Sequence, residues 1–198
     1  MDLIIIAGMP ATGKSTVAAA VSKIFGYPVI GKDDLKEGLF DVLGFENYAQ
    51  KRALDHAANE TLIRVTEALL KAGCSAIIDN NFDTGSGEKL CGVIEEYAPN
   101  CVTVFLNGDP QTLYDRYAER DNKHLRHLGH ALQDHYPPRE GDSLDYTMTR
   151  EEFDEKFFKR GMASFSAPGA RIDVDTTDIN NVSIDGIVAE IKELLGKE

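Results

Sequence analysis

No apolar stretch in this chain reaches the roughly 20 residues needed to cross a bilayer core. Its hydrophobic content of 42% is what an ordinary core requires. The start, Met1-Asp2-Leu3, lacks the basic region of a signal peptide. Cysteine is scarce: Cys74, Cys91 and Cys101 are odd in number and widely spaced. That excludes a disulfide framework and a zinc knuckle, and predicts buried free thiols in a cytoplasmic protein. Cations are also in short supply, 21 Lys and Arg against 33 Asp and Glu, for a net charge of −12. So acidic a chain repels a long polyanion, so a long nucleic acid is not expected as a partner and a small molecule is. Repeats and low-complexity tracts are absent, and a homodimer is left open.

One stretch does name a ligand. Gly8, Met9, Pro10, Ala11, Thr12, Gly13, Lys14, Ser15 and Thr16 read GMPATGKST, which contains the P-loop pattern G-x-x-x-x-G-K-[ST]. The apolar run Leu3–Ala7 leads into it, and a helical run from Val17 follows. The loop therefore sits at a helix N-terminus, whose unpaired N–H groups and dipole favour phosphate. Lys14 supplies a cation for the β- and γ-phosphates, and the Ser15 hydroxyl suits Mg²⁺.

Beyond the loop, strand and helix patterns alternate, which predicts a single α/β domain over 1–198. The expected fold is three-layered, with a parallel five-stranded sheet and helices on both faces. Asp33 or Asp34 is expected to cap the helix after strand two. The long helix 47–71 should bury Ala53, Ala57, Leu62, Val65 and Leu69, and a helix is expected over 88–97. Residues 120–143 lose apolar periodicity and hold four of the five histidines. They read as a mobile lid inserted into the domain.

Ligands collect at the carboxyl ends of strands in such a sheet. Strand two delivers Asp33, a candidate base for an acceptor hydroxyl, with Lys36 one turn on to hold an anion or orient Asp33. The alternative is that Asp33 only caps its helix. Strand three delivers Asp79, able to support Mg²⁺, to contact the acceptor, or merely to close an Asx-turn. Arg116 and Arg120 share a helix face, and Arg126 follows. They can serve the phosphates, stack on adenine, or form surface pairs with Asp115 or Glu119. His124, His127 and His130 fall three apart, but without the supporting spacing of a zinc site.

Together these stations resemble the P-loop kinase family that includes the zeta toxins, the chloramphenicol phosphotransferase and the kinase domain of phage polynucleotide kinase. The resemblance covers most of the chain and is weakest over 120–169. It implies ATP and Mg²⁺ on the P-loop, with Asp33 rather than Asp34 as base and Lys36 on the acceptor side. It further implies an acceptor element at Asp79-Asn80-Asn81, with Arg116 against adenine, Arg120 at the phosphates and Thr176 in the adenine loop. With no NKxD-type guanine element, ATP is preferred to GTP. The expected activity is transfer of the γ-phosphate of ATP to a small-molecule hydroxyl. A toxin-type kinase of nucleotide sugars and an ATP-switched binding protein are the rivals.

Overall fold

The computed structural model of the chain describes residues 1–97, 99–123, 125–142 and 148–197. Five strands, β1 (Asp2–Gly8), β2 (Val29–Gly31), β3 (Ala76–Asp79), β4 (Asn100–Asn107) and β5 (Ala170–Asp175), form one parallel sheet in the order β2-β3-β1-β4-β5. All seven residues of β1 are buried, because this central strand is covered on both faces. Leu3, Ile5 and Ala7 pack one way and Ile4 and Ile6 the other, as the two-residue period of a strand requires. The first set meets α3 (Tyr48–Lys71) and α4 (Thr84–Tyr97); the second meets α1 (Lys14–Phe25) and α8 (Ile184–Leu194). The expected three-layer sheet is therefore the observed one.

Several local expectations are corrected. The N-cap of α2 (Lys32–Leu43) is Gly31, without a side-chain cap bond, so neither Asp33 nor Asp34 caps it. Both carboxylates sit in its first turn, where they favour the positive end of the helix dipole. On α3 the buried positions are Lys51, Ala58, Leu62, Ile63, Thr66 and Leu70, whereas Ala53 is exposed. Helix α4 begins at Thr84 rather than near Glu88, because the Asp83 carboxylate accepts the Ser86 N–H at 3.0 Å and starts the helix despite two glycines. Of the cysteines only Cys101 is buried, and burial pushes its thiol up to about 12; Cys74 is exposed.

Arg120 still belongs to α5 (Pro110–Asn122). The segment after it packs on α2 and α3 instead of forming an isolated flap. Its short helix α6 (Leu128–Ala131) and Tyr136 close an apolar satellite with Phe40, Phe45, Leu54 and Leu132. Phe45 and Tyr136 exchange backbone hydrogen bonds of 3.0 and 2.8 Å. Lys51 of α3 donates to the carbonyls of His130, at 2.8 Å, and Leu132. Helix α7 (Arg150–Phe157), fastened by a Thr149–Glu152 capping box, covers Met9 and Tyr117 through Phe153 and Phe157. Among the described residues no helix is long and apolar enough to cross a membrane.

Candidate active site

Sheet register brings the expected stations together. Gly31 and Ile6 both pair with Asp79, and Gly8 pairs with Leu106. The P-loop, the first turn of α2 and the end of β3 therefore open on one side of the sheet. They line a single cleft of about 1210 Å³.

The P-loop is held from within. Gly8 has φ +125°, and a Cβ there would lie 1.9 Å from the Leu106 carbonyl oxygen. Met9 is fully buried and donates its N–H to that carbonyl at 3.0 Å. The Thr12 hydroxyl and the Lys14 Nζ both donate to the Met9 carbonyl at 2.8 Å. Gly13, at φ +83°, turns the chain into α1. Gly8→Ala combines a disfavoured backbone with a steric clash, so a loss of about 3 kcal/mol or more is expected. A thermal melt should move down by roughly 6 °C or more; an unchanged melt would refute this account of the loop.

Ser15 donates its hydroxyl to Asp79 Oδ2 at 2.7 Å. Burial pushes the Asp79 carboxyl up, Lys14 and Ser15 pull it back, and Asp33 and Asp34 add to the rise. A hydroxyl and a carboxylate in contact beside a phosphate loop are hard oxygen donors of the kind Mg²⁺ takes. The buried carboxylate is also short of positive charge, so the residues fit that ion.

Asp33 keeps 57% of its side-chain surface accessible within the cleft. Burial among protein atoms raises its carboxyl, but His130, Lys32, Arg126 and Lys36 outweigh that and hold it well below the carboxylate range. Arg126 lies 3.5 Å away and Lys32 4.0 Å. Lys36 does not orient Asp33; together with Lys32 it pairs with Asp55 of α3, at 2.7 and 2.6 Å. Asp55 escaped the sequence reading because it comes from a distant helix with no motif around it.

On α5, Arg116 is neither a surface ion pair nor free to fork a phosphate. It donates to the carbonyls of Thr176 at 2.5 Å and Thr177 at 2.7 Å. Thr176 is buried, its N–H and hydroxyl both bonded to the Asn107 carbonyl at 2.8 Å. Arg120 differs sharply. Its Nε is buried without a hydrogen-bond partner, and its guanidinium lies 5.5 Å from the Tyr117 ring centroid. Arg126 approaches the same ring at 5.8 Å. Asn80 is buried and bonds Asn59 of α3 at 3.0 Å, whereas the buried Asn81 Oδ1 has no partner.

The histidines separate. His127 lies 3.0 Å from Asp41 and His130 2.9 Å from Glu37, both on α2; His124 lies outside the described residues. Burial lowers His130 to about 4, against the pull of Glu37. Among the described residues no three His, Cys, Asp or Glu side chains converge to hold a metal.

A glycine-turned loop on a central strand, with its serine bonded to the acid of the neighbouring strand, is the P-loop arrangement. Residues 3–137 match the family described as an AAA domain. The chain belongs to that family. In solved structures this AAA-domain chain is similar to a "putative kinase" from Chloroflexus aurantiacus, at 22% identity and a TM-score of 0.76, covering 98% of this chain and 96% of that one. A gluconokinase from Sinorhizobium meliloti is 16% identical with a TM-score of 0.54, covering 98% and 91%. A shikimate kinase from Bacteroides thetaiotaomicron is 15% identical with a TM-score of 0.50, covering 99% and 98%. Curated proteins yield no match. The fold is that of the P-loop kinases.

Proposed function

We propose that the protein transfers the γ-phosphoryl group of ATP to a hydroxyl of a small molecule. The observation that carries this reading is the extent of the cleft. Its lining reaches from Lys14 and Ser15 through Asp33 to Asn59 of α3, Ser86 of α4 and Lys156 of α7. Its volume of about 1210 Å³ exceeds the roughly 300–1,000 Å³ of a single-ligand pocket. A nucleotide-switched binding protein needs no room beyond its nucleotide.

On this reading the P-loop and Lys14 hold the β- and γ-phosphates, and Ser15 and Asp79 hold Mg²⁺, which would offset phosphate charge. Asp33 orients the acceptor hydroxyl and takes its proton as the oxygen–phosphorus bond forms and the bond to ADP breaks. Its depressed carboxyl makes it a weak base. That suffices in a loose transition state, where the hydroxyl acidifies late. Arg120, with no anion of its own, and Arg126 take up charge on the transferred group. Arg116 and Thr176 frame the adenine end, and Lys36 and Asn81 border the acceptor.

ADP release from ATP·Mg²⁺ should rise several-fold with one class in a panel of sugars, nucleosides, nucleotides and antibiotics, and that compound should gain a phosphate mass. Slow hydrolysis indifferent to every compound would instead favour the switched binding protein.

A further inference from the structure

Although the chain is strongly acidic, ten of its 21 Lys and Arg side chains line the cleft. Most of the acids there are already engaged. Asp83 pairs with Arg160, Glu60 with Lys89 and Glu155 with Lys159, while Glu152 closes the α7 cap. Asp34 and Asp134 are exposed. On the acceptor side Lys32 and Lys36 both pair with Asp55, and Lys32 also lies 4.0 Å from Asp33.

Lys156 stands outside these pairs. Half-buried on α7, it has no carboxylate and no hydrogen-bond acceptor among the described residues; its ammonium lies 5.5 Å from the Phe157 ring centroid. Burial, then Lys36 and Arg126, push it down to about 8. Like charges gathered at a half-buried site repel until an anion arrives, and an unpaired charge in such a place is a common mark of a ligand site. ATP on the P-loop engages Lys14 and Arg120, and leaves Lys156 unanswered.

We infer that the acceptor carries an anionic group, a carboxylate or a phosphate ester, and that Lys156 binds it with the help of Lys36. This rests on the kinase reading for the identity of the occupant, not for the existence of the anion subsite. The acceptor is then a hydroxy acid or a phosphorylated alcohol rather than a neutral sugar or nucleoside.

The direct test is titration of inorganic phosphate into the full chain saturated with a non-hydrolysable ATP analogue and Mg²⁺, so that the γ-phosphate position is already filled. One phosphate should bind per chain. Lys156→Met, which keeps the volume, should weaken it about tenfold or more, the loss of one charge-assisted contact. Lys156→Arg should restore most of the affinity. Affinity for the analogue and the melting temperature should stay the same in both. No phosphate binding by the wild type, or equal binding by Lys156→Met, overturns the inference. ADP release with glucose, gluconate and glucose 6-phosphate separates the two readings. A neutral sugar turned over equally by Lys156→Met sinks the anion subsite and leaves the kinase standing. Phosphate binding that depends on Lys156, without transfer to any compound of the wider panel, keeps the subsite and sinks the kinase.

Discussion

Lys14→Ala is expected to lower acceptor-dependent ADP release by about a thousandfold, the scale of a lost electrostatic clamp on a transferring phosphoryl group. The ammonium is held at the mouth of the P-loop by the Met9 carbonyl, with Asp79 and Asp33 as the nearest opposite charges. Burial lowers it to about 8, more than those two acids restore. The sign of this shift separates a lost clamp from a lost fold. Between about 8 and the unfolded value of 10.5 the native chain binds fewer protons at this group. Stability from Lys14 therefore rises with pH in that window, and below it the charge is a constant burden. Lys14→Ala should melt within a few degrees of wild type at pH 7 while losing turnover. Nucleotide binding favours the charged form, so ATP affinity of the wild type should fall as pH rises through about 8. Turnover within threefold of wild type would remove Lys14 from the mechanism.

Asp33→Asn should reduce turnover by roughly a hundredfold or more, the range for a positioned acid or base. ATP affinity should stay within about twofold, because the P-loop contacts are untouched. Asparagine keeps the shape and can still accept a hydrogen bond, but cannot carry the proton away. The carboxylate also balances Arg126 and Lys32. Its depressed value contributes stability that is present at neutral pH and fades as pH falls through the carboxylate range. The variant should therefore melt somewhat lower at pH 7, and its kinetics belong well below that temperature. Wild-type turnover in Asp33→Asn would move the base to Asp34. A large rise in KM for ATP at normal kcat would mean that Asp33 supports the nucleotide instead.

The sheet and the phosphate loop were legible because their signals are local. An apolar run into a glycine-rich loop and a helix needs no distant partner to be recognised, and the acids ending strands two and three follow from parallel topology. What distant helices contribute was not legible. Asp55 binds Lys36, Asn59 meets Asn80, and Lys156 reaches the acceptor side, yet each sits in an ordinary amphipathic pattern. The cap expected of Asp33 or Asp34 does not form, because extended Gly31 takes the N-cap position and both carboxylates fall in the first turn of α2. The stretch predicted to be a lid is polar in sequence, yet it packs on α2. His127 and His130 answer Asp41 and Glu37 on α2, and Leu128, Leu132 and Tyr136 pack with Phe40 and Phe45.

Arg116 and Arg120 stand one turn apart on α5, about 6 Å along the axis. The first is clamped to the loop after β5 by two carbonyls, and the second lines the cleft with its buried Nε free of a hydrogen-bond partner among the described residues. One stiff rod thus fixes the spacing between the base end and the terminal phosphoryl end of the proposed donor. It works as a gauge of length. On the proposed reading, a nucleotide with one phosphoryl group more or fewer brings its last group out of step with Arg120.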